Sequence, residues 1–365
     1  MWIFKDFIKI GLGLILVVLS ETAFSKEFEE ETEKDYSLRS IGKLQVTNPK
    51  GDILIQGWAL DKIRVKVRKS AVAETSEKAK KLLDLMDYRY QMNDGNIEIS
   101  TQYGKGLSIQ DRLKEEGLVK THFEVQISAP SNLKLKLWTV DGKVLLKNWN
   151  HNAEIRNNTG SIKVEGVKAD ELTLVCASCS VQLRNIRSKV RCMGGAGSVD
   201  MANVYGKSIY VETQSGFQKM VRIEGDQLYV TQSGSIDGHS LSGRIEFRSK
   251  QGQVDFREIS GFLSGSVESG NISVQIREWS FLDKAFIEAI RGNIHLILPR
   301  RFSGNVDIWS LQGKASSEFS IEKIPDLATF GPEPTNHLTG RINEGGDLLK
   351  VTTEQGNIEV QKGKF

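Results

Sequence analysis

Apolar and polar residues alternate along short segments of the chain, and each segment is centred on a glycine. If that glycine is position zero, apolar residues stand seven and five positions before it and two and four positions after it. One instance consists of Leu135, Leu137, Gly142, Val144 and Leu146. The same template fits residues 44–55, 88–99 and 349–360. Alternation with period two predicts a short strand with one buried face on each side of the glycine. The glycine marks the bend between the two strands.

These glycine corners recur at a nearly fixed interval. From Gly142 they follow every eighteen or nineteen residues, at Gly160, Cys179, Gly197, Gly216, Gly234, Gly252 and Gly270. The spacing is looser for the last three corners, Gly292, Gly313 and Gly356. A period near twenty is typical of a solenoid, in which a unit buries its apolar face only against its neighbours. The sequence therefore predicts an all-β, single-stranded β-solenoid of stacked two-strand coils.

An outer-membrane β-barrel is the alternative architecture for an alternating pattern. Its strands need about ten residues and are flanked by girdles of aromatic residues. The strands predicted here have four or five residues, and aromatic residues make up only 8% of the chain. The pattern therefore favours the solenoid.

Three segments interrupt the repeat. Residues 73–86 place leucines after a charged stretch, which predicts one short amphipathic α-helix that flanks or caps the core. Residues 103–121 and 320–346 carry glycine, proline and charge in place of a strand pattern. We expect these two insertions to be loops or lids, where solenoids often bind their ligands.

The N-terminal residues have the pattern of an export signal. Lys5 and Lys9 precede an apolar run from Ile10 to Leu19, and small residues follow at Ala23–Ser25. A retained membrane anchor is disfavoured, because the run is about half the length that a span needs. We therefore expect a signal peptide over 1–25, a solvated acidic leader over 26–39 and the solenoid domain over 40–362. The mature protein would be periplasmic or on the cell surface and would have no membrane span.

Several phrases resemble the bacterial putative-adhesin domain family of exported β-solenoid proteins. They are the strand, corner and strand of residues 44–55, then "IRVKVRKSA", an acidic helix and "YRYQMNDGNIEIS". The phrases "VQISAPSNLKLKLWTVDGKVLL" and "LILPRRFSGNVDIWSLQG" match the family's habit of a strand that ends in proline before the next glycine corner. The resemblance covers about residues 38–362. It implies the fold and the export, and it carries no catalytic residues and no cofactor to this chain.

The charge does not suggest a nucleic-acid partner. The formal net charge is +3 over 365 residues, and the basic residues are scattered along the chain rather than gathered in one patch. The five histidines have no HExxH-type spacing, so we expect isolated surface or loop positions rather than metal ligands.

The motif "CASC" places Cys176 and Cys179 at the spacing of a redox pair or of half a zinc site. The motif runs from a strand into a corner, whereas a redox pair needs a helix N-terminus. A four-ligand zinc site lacks partners, since Cys192 is the only other cysteine and falls on a core position. We expect a structural role, as a local disulfide or as buried thiols.

An acidic row follows the corners. Asp200, Asp237 and Asp255 stand three positions after their glycines, on the outward face, and Lys219 takes the same place between the first two. Like charges stacked one coil apart are unfavourable unless a basic residue or a bound cation compensates. The row is therefore either a solvated ladder paired with nearby basic residues or a calcium-linked glycan site.

Two tryptophans are candidate ligand contacts. Trp138 and Trp309 both lie four positions before a corner, at sites that face away from the predicted core. Flat rings on a rigid surface suit carbohydrate and protein partners. The alternative is that these rings cover the open corners of the core.

The pattern as a whole predicts a non-enzymatic binding or structural module of the cell envelope, similar to an adhesin. Its partner would be an envelope polymer, a glycan or a protein surface. Two other functions remain open. They are a glycan-cleaving solenoid enzyme with a carboxylate site near Asp237 and Asp255, and a self-assembling envelope scaffold with uncapped terminal coils.

Overall fold

The computed structural model describes residues 26–38, 42–103, 121–280, 284–323 and 336–364. The predicted signal peptide lies outside these ranges, as do most of the insertion at 103–121 and the middle of the insertion at 320–346. The chain divides into two compact units, Met1–Gly160 and Ser161–Phe365.

The described residues of the first unit form eight complete strands, the start of a ninth and one helix. They are β1 (Lys26–Ser37), β2 (Lys43–Lys50), β3 (Ile53–Trp58), β4 (Lys62–Ala73), α1 (Ser76–Asp84), β5 (Met86–Asn93), β6 (Asn96–Tyr103), β7 (Thr121–Pro130), β8 (Lys134–Trp149) and β9 (Ala153–Ala196). Within the described residues, no helix has the length and apolar character needed to cross a bilayer.

The coils of the first unit do not stack in sequence order. β2 pairs in parallel with β8 on one side and with β6 on the other. β3 likewise lies between β8 and β7. The coil of β2 and β3 is thus between two coils that follow it in the chain. The inward residues of these strands, such as Leu44, Ile53 and Leu135, are completely buried, as the alternation predicts.

Antiparallel strands close one end of this stack. β5 pairs with β6, and β4 pairs with β7. The hairpin between β5 and β6 turns at Asp94 and Gly95, whose φ angles are 47° and 77°. Two consecutive positive φ angles indicate a type I′ hairpin turn, for which Asp-Gly is a favoured sequence. The prediction of a solenoid corner at Gly95 was therefore wrong.

The helix α1 lies beside this antiparallel layer. Its first turn is capped by Thr75, whose hydroxyl accepts a hydrogen bond from the backbone N–H of Lys78 at 3.3 Å. Ala79, Leu82 and Leu83 are spaced by three and four residues and are buried. The helix therefore buries a single apolar stripe.

The acidic segment after the predicted signal peptide is a strand and not a solvated leader. β1 pairs antiparallel with β4 along its entire length. Its acidic side chains face the basic side chains of β4, and Asp35 lies 2.8 Å from both Lys62 and Arg64. Glu31 lies 2.8 Å from Lys66. We call this row of ion pairs the β1–β4 charge ladder.

In the second unit, the part of the chain that the structure describes forms the rest of β9 and twelve further strands. They are β10 (Val199–Ser215), β11 (Gln218–Ser233), β12 (Ile236–Gln251), β13 (Val254–Ser269), β14 (Ile272–Trp279), β15 (Ala285–Arg291), β16 (Ile294–Leu298), β17 (Gly304–Ser310), β18 (Ala315–Ser317), β19 (His337–Ile342), β20 (Leu348–Gln355) and β21 (Ile358–Lys362). The last part of the predicted insertion at 320–346 is therefore strand β19, which pairs antiparallel with β17.

Parallel coils stack through the second unit in a fixed register. Val199 pairs with Val181 and with Gln218, and Ile236 pairs with Val254. Between β9 and β13 these partners are eighteen or nineteen residues apart, as the glycine spacing predicts. The prediction of a β-solenoid with one flanking helix is confirmed.

The glycine corners form a ladder of close backbone contacts. Gly197 has a φ of 134°, and a Cβ placed on it would lie 2.2 Å from the carbonyl oxygen of Cys179. A Cβ on Gly216 would lie at the same distance from the carbonyl oxygen of Gly197. The corners therefore need glycine for its backbone conformation and for the absence of a side chain.

The final segment of the chain is inserted between two earlier coils. β20 pairs in parallel with β15 and β17, and β21 pairs in parallel with β16 and β18. The corner at Gly356 accordingly lies between Gly292 and Gly313. The sequence pattern predicts the strands of this region but not the order in which they stack.

Candidate functional site

A polar face of the first unit surrounds Trp138. It is formed by the outward side chains of β2, β6, β8 and the start of β9, and the alternation that buries their neighbours points these residues toward solvent. Trp138 lies beside Thr47 in the register of β8 with β2. Its side chain is 41% exposed, which is unusual for so large an apolar residue. We call this surface the Trp138 face.

Two adjoining clefts lie on the Trp138 face. The first has a volume of about 260 Å³, and Trp138 lines it together with Gln45, Thr47, Lys136 and Arg156. The second has a volume of about 310 Å³ and is rich in amide side chains. It is lined by Lys43, Gln45, Gln91, Asn93, Asn96, Ile97 and Glu98. Gln45 contributes to both clefts. The face therefore combines one flat ring with many neutral hydrogen-bonding groups.

Ion pairs hold the charged residues of the first cleft in place. Glu154 lies 3.2 Å from Lys136 and 2.7 Å from Arg156. Partial burial alone would raise the pKa of Glu154, but hydrogen bonds from Arg156 and Lys136 hold that pKa below its ordinary value. Glu154 is therefore ionised at neutral pH and offsets one of the two positive charges beside Trp138. The net charge that remains is small, which suits a neutral polar ligand better than a strongly charged one.

The second candidate tryptophan is in a different environment. Trp309 lies on β17, between His337 on β19 and Thr352 on β20. It is only half-exposed, and neighbouring strands flank it on both sides. Within the described part of the chain its indole nitrogen is buried without a hydrogen-bond partner. Of the two tryptophans, Trp138 is the one that offers an open ring face, and a ligand role for Trp309 stays a prediction.

The acidic row of the second unit has the predicted order. Asp200 pairs with Lys219, Lys219 with Asp237, and Asp237 with Asp255. Neighbouring strands are about 4.8 Å apart, so Asp200 and Asp237 are separated by about 10 Å. The row therefore does not bring its three carboxylates together.

Basic side chains accompany the acidic row. Arg184 forms an ion pair with Asp200, and Arg257 forms one with Asp255. The carboxylate of Asp237 also raises the pKa of Arg257, after the larger contribution of Asp255. These contacts are those expected of a paired ladder, and a calcium role for the row stays a prediction.

The cysteines lie in the core of the second unit. Cys176 and Cys179 form a disulfide in the structure, and both residues are buried. Cys192 is a buried free thiol, and burial raises its pKa to about 12. This environment suits a structural role and opposes thiolate chemistry. Formation of the disulfide in the exported protein stays a prediction.

The sequence did not indicate one group of converging side chains. Asp52 follows the corner at Gly51, and His122 and Glu124 lie on β7. Their ligand atoms all lie within 4.8 Å of one another. The expectation of isolated histidines was wrong for His122, because a spacing search along the chain cannot find partners that come from different coils.

The chain is similar to several solved structures at low sequence identity. A "putative cell adhesion protein" from Clostridium sporogenes is 12% identical, with 92% of this chain and 100% of that chain covered and a TM-score of 0.25. A "putative lipid binding protein" from Parabacteroides distasonis is 11% identical, with 92% and 97% covered and a TM-score of 0.33. A "putative adhesin" from Bacteroides fragilis is 10% identical, with 91% and 97% covered and a TM-score of 0.26.

The family comparison covers nearly all of the folded chain. No curated protein shows significant similarity to the sequence. The family described as Toastrack DUF4097 matches residues 34–361, a range that includes every coil described above. Since one match spans both units together with the antiparallel strands and the inserted final segment, the chain belongs to the Toastrack DUF4097 family.

Proposed function

We infer that this protein is an exported, non-enzymatic binding module of the bacterial cell envelope, and that its Trp138 face contacts a neutral glycan. The observation that carries the inference is the exposed indole of Trp138 in the first cleft, which shares Gln45 with the amide-rich second cleft. Sugar rings present apolar C–H faces that stack on aromatic rings, and their hydroxyls both donate and accept hydrogen bonds. Amide side chains also do both.

The rigidity of the surface supports this function. The backbones of β2, β6 and β8 are held in one register by parallel ladders on both sides of β2. The outward side chains therefore start from fixed positions, and less conformational entropy is lost when a ligand orders them. A long polymer could also contact both clefts at once, which would raise its avidity.

Export is supported by the pattern of the first 25 residues, namely two lysines, an apolar run and small residues before Lys26. We expect mass spectrometry of the protein from the envelope fraction to find an N-terminus near Lys26. A chain that retains its first residues in that fraction would contradict signal cleavage.

The binding function is tested with polysaccharides purified from the cell envelope. We expect Trp138→Ala to weaken binding by at least tenfold, because removal of a central ring from a binding surface costs about 2 kcal/mol or more and tenfold corresponds to about 1.4 kcal/mol. Tyr205→Ala is the matched control, since Tyr205 is equally exposed, at 41%, and lies on the second unit. Equal losses in the two variants, or an unchanged affinity of Trp138→Ala, would overturn the assignment of the face.

A further inference from the structure

Three side chains of the first unit converge beside the corner at Gly51. They are Asp52, His122 and Glu124, which we call the His122 cluster. The closest contact is 3.6 Å, between the Nε2 of His122 and the Oδ2 of Asp52. The three groups come from two neighbouring coils, and the Trp138 face contains none of them.

The backbone fixes the relative positions of the three residues. The N–H of Asp52 donates to the carbonyl oxygen of Phe123 at 3.0 Å, and the N–H of Val125 donates to the carbonyl oxygen of Asp52 at 2.9 Å. The backbone of Asp52 is therefore hydrogen-bonded to Phe123 and Val125, the two residues that flank Glu124 on β7. Since His122 and Glu124 are two residues apart on β7, their side chains project from the same face of the strand.

A further hydrogen bond orients the carboxylate of Asp52. The backbone N–H of Lys143 donates to its Oδ1 at 2.8 Å, so that Oδ2 is the atom nearest the imidazole of His122. The side chain of Asp52 is only 14% exposed, whereas that of His122 is 49% exposed. The arrangement thus has a fixed, largely buried oxygen ligand at its base and a nitrogen ligand that is open to solvent.

We propose that the His122 cluster binds a divalent transition-metal ion of the zinc type. Zinc ligands at about 2.0–2.2 Å in a tetrahedron lie about 3.3–3.6 Å from one another, and the contact between His122 and Asp52 has this length. The carboxylate of Glu124 now accepts a hydrogen bond from Gln126. Rotation of the long Glu124 side chain would bring this carboxylate to the same distance from the ligand atoms of His122 and Asp52. One imidazole and two carboxylates leave a fourth position for water or for a ligand atom.

The imidazole determines which ions fit. Nitrogen ligands favour zinc and its neighbours, whereas calcium and magnesium prefer sites made entirely of oxygen. Neighbouring cationic side chains reduce the affinity of the His122 cluster for a metal ion. Lys143 acts electrostatically on both Asp52 and His122. Arg68 lies opposite Glu124 in the register of β4 with β7, and its guanidinium contacts Glu31 at 3.5 Å.

The experiment titrates the purified, chelator-treated protein with zinc by calorimetry, and with cobalt by visible absorption. We expect one ion per chain and no competition from calcium. His122→Gln and Asp52→Asn should each weaken zinc binding by at least tenfold, because a loss of about tenfold to hundredfold follows even from substitution of a residue that only supports a metal ligand. Asp52→Asn keeps an oxygen that can accept the Lys143 N–H, so the fold is retained. Lys143→Gln should tighten binding, because it removes a positive charge beside the ion.

The matched control is His239→Gln. His239 also lies 3.6 Å from a carboxylate, that of Glu258, and its side chain is 48% exposed. Within the described chain this pair has no second carboxylate close enough to form a group of three. Three results would overturn the proposal. They are the absence of zinc binding, binding that survives His122→Gln, and an equal loss in His239→Gln.

Discussion

The glycines of the stretch "GGAGS", Gly194 to Ser198, offer a sharp test of the corner ladder. Gly194 and Gly197 are three residues apart in one coil, yet the structure gives them different surroundings. A Cβ on Gly194 would meet its nearest atom, the terminal Cγ2 of Thr213, at 3.3 Å. A Cβ on Gly197 would lie 2.2 Å from the carbonyl oxygen of Cys179. We therefore expect Gly197→Ala to destabilise the protein and Gly194→Ala to be tolerated.

The expected magnitude follows from three contributions to the free energy of unfolding. The φ of 134° at Gly197 is a conformation that alanine rarely adopts, which costs about 1–3 kcal/mol. The overlap of the added Cβ with the Cys179 carbonyl oxygen requires the coil of Gly197 to move away locally from the coil of Cys179. That separation weakens the hydrogen bond from the Val181 N–H to the Ser198 carbonyl, which joins the same two coils and is worth about 1 kcal/mol. The lower entropy of unfolded alanine offsets about 0.4–1 kcal/mol. The net loss for Gly197→Ala is about 1–4 kcal/mol.

The assay is equilibrium unfolding in urea, followed by far-ultraviolet circular dichroism, for the wild type and both variants. The shift of the urea midpoint multiplied by the m-value gives the change in the free energy of unfolding. For Gly194→Ala we expect a change within about 0.5 kcal/mol, because the methyl group of Thr213 can move by a few tenths of an ångström. The two variants add the same atoms to the same stretch, so any difference between them reports the corner.

Two results would refute the reasoning. If Gly197→Ala unfolds at the urea concentration of the wild type, the corner does not need a positive φ and the coils are not in close contact. If Gly194→Ala is destabilised as much as Gly197→Ala, then the added methyl group itself is responsible and the ladder has no special role.

Three further predictions concern the pH response, a buried ring and the thiols. Hydrogen bonds from Arg64 and Lys62 lower the pKa of Asp35 below its ordinary value of 3.8. The contribution of Asp35 to the free energy of unfolding is therefore fully present at pH values above 3.8. It is lost progressively as the pH falls below that value toward the lower pKa of the folded state. Urea midpoints measured between about pH 5 and pH 3 should decline less in Asp35→Asn than in the wild type, and equal declines would contradict the role of Asp35. Trp149 is fully buried, and its indole N–H donates to the carbonyl of Leu133 at 3.0 Å. Trp149→Phe should lower the free energy of unfolding by about 2–3 kcal/mol in the same assay, and a change below about 0.5 kcal/mol would contradict that hydrogen bond. Alkylation at pH 8 should modify no cysteine of the native protein and only Cys192 of the unfolded, unreduced protein, because burial raises the pKa of that thiol to about 12. Modification of three cysteines without a reductant would contradict the disulfide.

Much of the fold was predictable because a coil leaves two local signals in the sequence. The alternation of apolar residues identifies the buried face of each strand, and the glycine identifies the corner. Together they place Asp200, Lys219, Asp237 and Asp255 in the correct order, since a register that repeats every eighteen or nineteen residues is set by the glycines themselves.

The order of the coils was not predictable in the same way. Each coil presents a similar apolar edge to its neighbours, so the pattern at 349–360 does not say which coils it will contact. Gly95 was misassigned because a hairpin glycine and a corner glycine both follow one alternating strand and precede another. The pairing of β1 with β4 did leave a signal. Glu27, Glu29, Glu31 and Glu33 alternate in the same way as the basic residues of β4.

The candidate sites, like the fold, could be predicted from the sequence only in part. Trp138 could be found from its offset to the corner, because that offset fixes which face of the strand it occupies. The sequence could not separate it from Trp309, since the difference lies in the strands that flank each ring. The His122 cluster depends on the pairing of β3 with β7, which are more than sixty residues apart in the chain. No local pattern records that contact.

The insertion of β20 and β21 between earlier coils has a consequence for biosynthesis. A polypeptide emerges from the ribosome N-terminus first, and most of a solenoid could add one rung after another as it appears. The rung formed by β17 and β18 cannot dock in this way, because its neighbour is made from residues 348–362, which are translated later. The docking of β17 and β18 must therefore wait for the codons of residues 348–362, and a ribosome that stops before them would leave out an interior rung of the stack.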